Sequence, residues 1–392
     1  MMILFWILLF LVFYGYAGYP ILLTIFARLQ RKPVKKNEYI PSVSIILSVY
    51  NEEAVIETKI KNFLTLDYPT HKMEIWIGSD GSTDRTNKII QNFTDPRIHL
   101  YKSPARRGKI ATLNELARHA KNKILVMTDA RQKFAPDAIA QLVGNFSDPS
   151  VGCVSGELIF LKEKTPGAIA SGVSLYWNYE KFIRRQESAI HSMLGATGAI
   201  YAIRRELYPP DVPVNVVLDD MYIPLKIVSA GYRAIFDDTA KAYDRAADTS
   251  REEHTRKART LFGNYQIFFM LPEIFNPFKS PLALQIFSHK FLRVVIPFLL
   301  IMIFMLNSVL LEDPLLRIVF ILQIIFYIMA IMGSLALHFQ YGVLPIISKI
   351  CYIPYTFCLL NFSALAGFGR FMLSNQEITW KKARENEITT SH

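Results

Sequence analysis

The first 27 residues contain no aspartate, glutamate, lysine or arginine. At about 1.5 Å rise per residue, twenty residues of helix already cross a hydrocarbon layer roughly 30 Å thick. Residues 1–27 are therefore predicted to form a transmembrane helix. A cleaved signal peptide is the alternative, but no basic region precedes this run, and the run is longer than the usual apolar part of a signal.

Three further apolar stretches lie near the C-terminus, at residues 294–311, 318–348 and 350–369. Helices of this length without a polar face are rare in soluble proteins. The sequence therefore predicts three C-terminal transmembrane helices, in a bundle at residues 290–373 that a polar tail follows at 374–392. One of the three stretches could instead be re-entrant.

Basic residues follow the first predicted span with no acid among them: Arg28, Arg31, Lys32, Lys35 and Lys36. Basic flanks stay in the cytoplasm, so we expect the domain at residues 28–250 to be cytoplasmic and the protein to be integral to a bacterial inner or plasma membrane. Four spans would place the tail outside, although the tail also carries basic residues. The sequence leaves the side of the tail open.

The chain has 44 lysines and arginines against 33 acids, a net charge of +11. The basic cluster beside the first span accounts for this excess, because such clusters face anionic lipid. The sequence contains no motif that reads nucleic acid, so no nucleic-acid partner is expected. Two of the three cysteines, Cys351 and Cys358, lie in apolar runs, and this pattern favours neither a disulfide framework nor a cysteine zinc site.

Three short apolar runs in the central domain, at Val43–Val49, 74–78 and Ile124–Thr128, are predicted strands. Each run is followed by a polar motif and a helical pattern, which predicts an α/β domain with a mostly parallel sheet. The motifs are YNEE at 50–53, SDGSTD at 79–84 and DAR at 129–131. Each could be only a turn or a helix cap, but together they fall where parallel sheets bind ligands.

Two further motifs carry charge. Arg106, Arg107, Gly108 and Lys109 precede a helical pattern with Asn114 one turn further on, which suits an anionic diphosphate at a helix N-terminus. A solvated basic face is the alternative, and the full phosphate-loop pattern of ATPases is missing. Asp219 and Asp220 open another helical pattern, either as capping acids or as a general base.

Asp129, with Thr128 before it, is a candidate ligand for Mg²⁺ or Mn²⁺, because these cations prefer one or two carboxylates together with phosphate oxygens. The eight histidines are scattered along the chain and offer no alternative metal cluster.

The ordered set YNEE, SDGSTD, GK with Asn114, TDA, GATGA and LDD resembles the family 2 glycosyltransferases, the nucleotide-sugar-dependent enzymes that include cellulose, chitin and hyaluronan synthases. The resemblance covers roughly residues 40–270, and one N-terminal plus three C-terminal spans match the membrane-bound branch of the family. It implies a Rossmann-like, nucleotide-sugar-binding domain of GT-A type. It also implies inverting transfer from a nucleotide-sugar, expected to be a UDP-sugar, to a glycan or lipid acceptor, with Mg²⁺ or Mn²⁺.

The resemblance also implies a role for each motif. The donor-binding residues would be Asn51, Glu53, Asp80, Lys109 and Asn114. Asp129 would hold the metal. Asp220, with Asp219 beside it, would be the base that deprotonates the acceptor hydroxyl. The acceptor side would be lined by Gly195, Thr197 and Gly198.

The sequence departs from the family pattern at Ser79, at Arg131 and in the stretch 256–260, which lacks the Q-x-x-R-W motif of processive synthases. Processivity therefore stays open. Arg256 and Arg259 belong to a predicted interfacial region, 251–289, where they would meet lipid headgroups or the leaving diphosphate, or would serve only as a surface anchor. Accessory export proteins are possible partners. The alternative function is a transporter or scaffold whose nucleotide-sugar-binding domain is not catalytic.

Overall fold

The computed structural model describes residues 1–161, 168–210, 212–245, 250–339 and 345–373, so the predicted tail at 374–392 lies outside the described residues. The chain divides into two compact units. The sheet unit contains Arg31–Leu161 and Glu187–Arg245, and the helical unit contains Met1–Gln30, Lys162–Gln186 and Ala246–Gln376.

The strands are, in chain order, β1 (Val43–Val49), β2 (Met73–Ser79), β3 (Ile98–Lys102), β4 (Ile124–Thr128), β5 (Lys133–Phe134), β6 (Val151–Leu161), β7 (Tyr201–Arg204) and β8 (Arg233–Arg245). The helices are α1 (Met2–Phe13), α2 (Tyr19–Leu29), α3 (Ile56–Leu64), α4 (Thr86–Gln91), α5 (Lys109–His119), α6 (Ala138–Val143), α7 (Ala168–Ile190), α8 (Asp219–Ser229), α9 (Ser250–Met270), α10 (Ala283–Gln285), α11 (Leu292–Ser308), α12 (Pro314–Phe339) and α13 (Pro345–Met372).

All eight strands form one mixed sheet in the order β3-β2-β1-β4-β7-β6-β8-β5. The first four strands in this order run parallel, β7 is antiparallel to β4 and β6, and β8 runs parallel to β6. Val49 lies beside Ser79, and Leu47 lies beside Thr128. The three predicted strands are confirmed, and the polar motifs that follow them lie at one edge of the sheet.

The strands of the sheet are buried on both faces. Ile45, Ile46 and Leu47, whose side chains alternate between the faces, all have no exposed surface. Helix α3 covers one face with Ile56 and Phe63. Burial on both faces explains why the sequence of β1 is a continuous apolar run rather than an alternating one.

Among the described residues, the helical unit contains four helices that are long and apolar enough to cross a membrane. They are Met2–Leu29, Ala283–Ser308, Pro314–Ala336 and Ile350–Met372. This agrees with the prediction of one N-terminal and three C-terminal spans.

The first and second spans each contain a π-helical segment, Tyr14–Gly18 and Ile286–Phe291. Gly15 packs against the second span, where a Cβ atom would lie only 2.8 Å from Ile296 Cδ1 and 3.2 Å from Leu292 Cδ2. The absence of a side chain at Gly15 therefore permits the close approach of the two spans.

Residues 168–186 of α7 belong to the helical unit, although the sequence placed them inside the 28–250 domain. The buried Glu180 of α7 explains this difference, because its carboxylate contacts three basic groups of the second span. Its oxygens lie 3.3 Å from His289 Nε2, 3.8 Å from Lys290 Nζ and in direct contact with Arg293. Burial by itself would raise the pKa of Glu180, but the three basic groups hold it well below its usual value.

Candidate active site

Lys109 lies among acidic side chains at the carboxyl edge of the sheet. It is the first residue of α5, and its Nζ atom is 3.0 Å from Asp129 Oδ1, just after β4, and 3.4 Å from the Asp219 carboxylate at the start of α8. Burial lowers the pKa of Lys109, but Asp129, Asp219 and Asp220 outweigh it and raise the pKa above its ordinary value. Three separate motifs of the sequence thus meet in one charge cluster.

The Asp220 and Asp129 carboxylates both lie close to Gly198. The Gly198 N–H donates to Asp220 Oδ2 at 3.2 Å. A Cβ atom on Gly198 would lie 3.2 Å from Asp220 Oδ2 and 3.7 Å from Asp129 Oδ2. A side chain at this position would therefore contact both carboxylates, and glycine avoids this contact.

The other predicted acceptor-side residues belong to the same loop. The backbone of Ala196 donates to the carbonyl of Asp220 at 2.7 Å, and a Cβ atom on Gly195 would lie 3.4 Å from that carbonyl. Thr197 is buried, and its N–H donates to Ser155 Oγ at 2.9 Å. The structure thus brings the loop at 195–198 to the N-terminus of α8. Contact with an acceptor stays a prediction.

Asp80 is buried and organises the loop that precedes α5. Its carboxylate accepts hydrogen bonds from the backbone N–H groups of Arg107, at 2.7 Å, and Gly108, at 2.9 Å. The backbone of Gly108 has φ +95°, which favours glycine. Asp80 thereby fixes where the helix begins and where Lys109 points. Its contact with a nucleoside stays a prediction.

Asn51 and Glu53 connect the carboxyl ends of β1 and β2. Asn51 has a left-handed backbone conformation, with φ 51°, and its Oδ1 accepts from the N–H of Thr83 at 2.8 Å. Glu53 Oε2 accepts from the N–H of Arg85 at 2.9 Å. Both predicted donor-binding residues therefore shape the loop after β2, at the same edge as Asp80.

Asn114 lies one helical turn beyond Lys109, but its amide faces a different loop. Its Nδ2 donates to the carbonyl of Val212 at 2.9 Å, and its Oδ1 accepts from the Tyr208 hydroxyl at 2.6 Å. In these contacts Asn114 fastens the segment before α8 to α5. The predicted role of Asn114 in donor binding has no further support from this geometry.

Several residues lie at the site in roles that the sequence did not predict. Lys59 and Asn62 of α3 are buried beneath the segment that follows Asp129, and burial lowers the pKa of Lys59 to about 7 against the opposing effect of Asp129 and Asp244. A signal was present, because residues 59 and 62 fall among the apolar positions of a helical pattern. Arg106 also stacks on Tyr50, with its guanidinium 3.9 Å from the ring centroid.

The buried hydroxyl of Tyr201 has no hydrogen-bond partner among the described residues. Burial raises the pKa of Tyr201, and the nearby carboxylates of Asp219 and Asp220 raise it further. No sequence pattern marks this tyrosine, because its position in an apolar strand is that of a core residue.

The acidic residues suit a divalent cation only if a phosphate completes the site. Among the described residues, no group of three or more His, Cys, Asp or Glu side chains is arranged to hold a metal ion. Asp129 and Asp220 nevertheless both bring a carboxylate oxygen close to Gly198, and Mg²⁺ is commonly bound by one or two carboxylates together with substrate phosphates. The donor set therefore fits a cation that arrives with a diphosphate.

The predicted interfacial arginines lie on α9 in the helical unit. Arg256 is exposed, with its guanidinium 5.9 Å from the ring of Trp177, and Arg259 is half-buried. Helix α9 packs along α13, where a Cβ atom on Gly367 would lie 3.0 Å from the carbonyl of Ala258. The two arginines thus belong to a helix that is fixed against a membrane span.

Residues 44–209 match the sequence model of glycosyl transferase family 2. The chain therefore carries a family 2 glycosyltransferase domain, as the motifs indicated. The chain is also similar over 95% of its length to the mannosyltransferase PcManGT from Pyrobaculum calidifontis, solved in complex with GDP-Man and Mn²⁺, with a TM-score of 0.69, 24% identity and coverage of 100% of that chain. This likeness shows that the fold is of GT-A type.

Two curated relatives are similar over shorter regions. The beta-monoglucosyldiacylglycerol synthase of Nostoc sp. is 31% identical over 134 residues, which are 33% of this chain and 29% of that protein. The poly-beta-1,6-N-acetyl-D-glucosamine synthase of Staphylococcus aureus is 24% identical over 270 residues, which are 67% of this chain and 64% of that protein. The matched region thus spans less than a third of the first relative and less than two thirds of the second.

Proposed function

We propose that the protein is a membrane-integrated, inverting glycosyltransferase that moves a sugar from a nucleotide-sugar, in the first instance a UDP-sugar, to a lipid or glycan acceptor. The observation that carries the proposal is the cluster of Lys109, Asp129 and Asp219, with Asp220 beside Gly198, at the carboxyl edge of the sheet. The names of the Nostoc and Staphylococcus relatives, a glycolipid synthase and a polysaccharide synthase, support the two acceptor classes.

The loop at 106–108 and Lys109 would bind the donor diphosphate. Lys109 is held between two carboxylates, so a phosphate oxygen can take the place of one of them without leaving the ammonium group unpaired. A Mg²⁺ or Mn²⁺ ion, when bound at Asp129, would neutralise charge on the leaving diphosphate. The same cluster thereby stabilises the negative charge that develops as the donor bond breaks.

Asp220 would be the general base. Its carboxylate takes the proton of the acceptor hydroxyl as that oxygen forms a bond to the anomeric carbon. The bond from this carbon to the diphosphate breaks, and its electron pair leaves with the nucleoside diphosphate. Attack from the face opposite the leaving group inverts the anomeric centre. Asp219 is buried and paired with Lys109, whereas Asp220 is half-buried beside Gly198, so Asp220 is the better placed of the two acids.

The test is nucleoside diphosphate release by the full chain in detergent, screened over UDP-, GDP- and dTDP-sugars with Mg²⁺ or Mn²⁺ and with diacylglycerol or oligosaccharide acceptors. GDP-sugars belong in the screen because PcManGT was solved with GDP-Man. We expect metal-dependent release that EDTA stops. Asp220→Asn should lower the rate roughly 10²-fold to 10⁴-fold and leave donor binding intact.

The matched control is Asp137→Asn, an exposed aspartate at the start of α6, which should keep wild-type turnover. Full turnover by Asp220→Asn would reject the base. A wild type that neither binds nor cleaves any donor would reject the enzyme and favour a transporter or scaffold. The size of the product separates single transfer from polymerisation.

We also infer that the sheet unit faces the cytoplasm, because basic residues follow the first span without an intervening acid. Protease added to inverted membrane vesicles should then cleave the sheet unit, while protease added to intact spheroplasts should not. Cleavage only in spheroplasts would reverse the orientation.

A further inference from the structure

Helix α3 carries two polar side chains on its buried face. Lys59 is 3% exposed and Asn62 is 7% exposed, on a face that also buries Ile56, Ile60 and Phe63. A buried amine is costly unless it is hydrogen-bonded, and an apolar residue would fill this position at less cost. The presence of lysine therefore calls for a role that packing alone does not supply.

Lys59 closes the turn that carries Asp129. Its Nζ atom donates to Thr128 Oγ1 at 3.0 Å and to the carbonyl of Gln132 at 2.5 Å. These partners are the residue before Asp129 and the third residue after it. One amine thus joins both ends of the loop from which the Asp129 carboxylate extends.

Asn62 holds the same segment one step further along the chain. Its Oδ1 accepts from the N–H of Phe134 at 2.7 Å, and its Nδ2 donates to the carbonyl of Phe134 at 3.1 Å. The Phe134 ring also lies under the Lys59 amine, with its centroid 4.6 Å from Nζ. Lys59 and Asn62 together, here named the α3 clamp, therefore fix the backbone at 128–134.

The clamp also reaches the loop beside Asp220. The hydroxyl of Thr128 accepts a hydrogen bond from Lys59 and donates one to the carbonyl of Ala199 at 2.8 Å. Ala199 directly follows Gly198, whose N–H is bonded to Asp220. Three hydrogen bonds, Lys59–Thr128, Thr128–Ala199 and Gly198–Asp220, thus link the clamp to Asp220, and Asp129 directly follows Thr128.

We propose that Lys59, with Asn62, is a positioning residue. It holds the Asp129 carboxylate in the position relative to Asp220 that binding of the metal and the donor diphosphate requires. This inference rests on the proposed function. Because the clamp touches neither donor nor metal, its removal should weaken metal binding through the displaced carboxylate and should leave the chemistry available once the site is filled.

The experiment compares Mn²⁺ affinity, measured by electron paramagnetic resonance with UDP present, in the full-length wild type and in Lys59→Met. We expect Lys59→Met to bind Mn²⁺ roughly 10-fold to 100-fold more weakly, as for other residues that support a metal ligand. Saturating Mn²⁺ should restore most of the turnover number. The thermal midpoint should not fall, because methionine suits the aromatic surroundings of residue 59.

The matched control is Lys61→Met, an exposed lysine two residues further on that is paired with Glu57. It should keep wild-type Mn²⁺ affinity. Thr128→Val is a second variant, which removes the hydroxyl but keeps the shape of the side chain. It should also weaken Mn²⁺ binding, and it provides the test if Lys59→Met fails to fold.

Unchanged Mn²⁺ affinity in a folded Lys59→Met or Thr128→Val would overturn the positioning role and leave the proposed function standing. A wild type that binds no Mn²⁺ in the presence of UDP, GDP or dTDP would overturn both. Because the readout is binding, a missing acceptor cannot imitate either result.

Discussion

The two units of the molecule each contain a buried charge cluster, and the two clusters have opposite compositions. In the sheet unit, the amine of Lys109 lies among the carboxylates of Asp129, Asp219 and Asp220. In the helical unit, the carboxylate of Glu180 lies among His289, Lys290 and Arg293. At the centre of each cluster lies one charged side chain whose neighbours carry the opposite charge.

The clusters differ more usefully in how closed they are. The Asp129 side chain is 33% exposed, whereas the Glu180 side chain is 5% exposed and lies against His289, Lys290 and Arg293. An acidic excess at an open edge can receive a cation and a phosphate. A closed cluster can only hold helices together. The comparison therefore predicts that changes to the first cluster alter ligand binding and that changes to the second alter stability.

The largest expected effect is the loss of stability in Glu180→Gln. Removal of the carboxylate leaves basic side chains buried around a neutral amide, and breaking a buried ion pair on one side costs roughly 3–5 kcal/mol. The thermal midpoint in detergent should fall strongly while Mn²⁺ affinity of the remaining folded protein stays unchanged. Glu57→Gln, which breaks an exposed pair with Lys61, is the matched control and should change the midpoint little. An unchanged midpoint in Glu180→Gln would contradict the structural role.

Asp129→Asn should have the converse effect. We expect turnover to fall roughly 10²-fold to 10³-fold, because the metal no longer neutralises the leaving diphosphate. The thermal midpoint should not fall, since Lys109 keeps Asp219 as a partner. Nucleoside diphosphate release and Mn²⁺ titration measure the two effects. Retained Mn²⁺ affinity in Asp129→Asn would show that Asp129 does not bind the metal.

Lys109→Met should lower the stability of the sheet unit and make its thermal midpoint depend more strongly on Mn²⁺. Loss of the ammonium group leaves neighbouring carboxylates to repel one another, and we expect a destabilisation of about 1–3 kcal/mol, since Asp129 is partly exposed. Added Mn²⁺ should raise the thermal midpoint of the variant more than that of the wild type, because the cation replaces the ammonium group. Equal shifts in both proteins would show that the cation binds elsewhere.

The smallest effect is a pH dependence from Lys59. Its pKa is lowered from about 10.5 to about 7 in the folded chain, so between these values the unfolded chain binds a proton that the folded chain does not. Stability from this group should rise with pH over that range and be constant below pH 7. The difference in thermal midpoint between wild type and Lys59→Met should follow this course, with Lys61→Met as the control. A flat difference would mean that Lys59 keeps its proton.

The spans and the strand ends could be predicted from the sequence because each depends on residues that are adjacent in the chain. A helix in lipid and a strand covered on both faces each require a continuous apolar run, and the polar motif after each run follows at once. The partners of Asp80 could not be predicted. Its carboxylate binds backbone N–H groups 27 and 28 residues away, and backbone donors leave no trace in the side chains.

The unit to which residues 168–186 belong and the role of the α3 clamp could not be predicted from the sequence for a related reason. Glu180 meets its partners more than 100 residues further along the chain, so no local pattern indicates that α7 belongs to the helical unit. Lys59 is recognisable in the sequence as a charged residue on an apolar helical face. Its role becomes clear only from the structure, where it donates a hydrogen bond to Thr128.

The close contact at Gly15 affects how the protein can be produced. A single N-terminal anchor is often deleted to obtain a soluble enzyme, but here Phe5 and Leu8 of the first span share a core with Ile296 and Leu299 of the second. Deletion would expose this apolar groove and cause aggregation. Exchange for a generic leucine-rich anchor would bring a bulky side chain to the place of Gly15. Biochemical work therefore needs the first span in its native sequence.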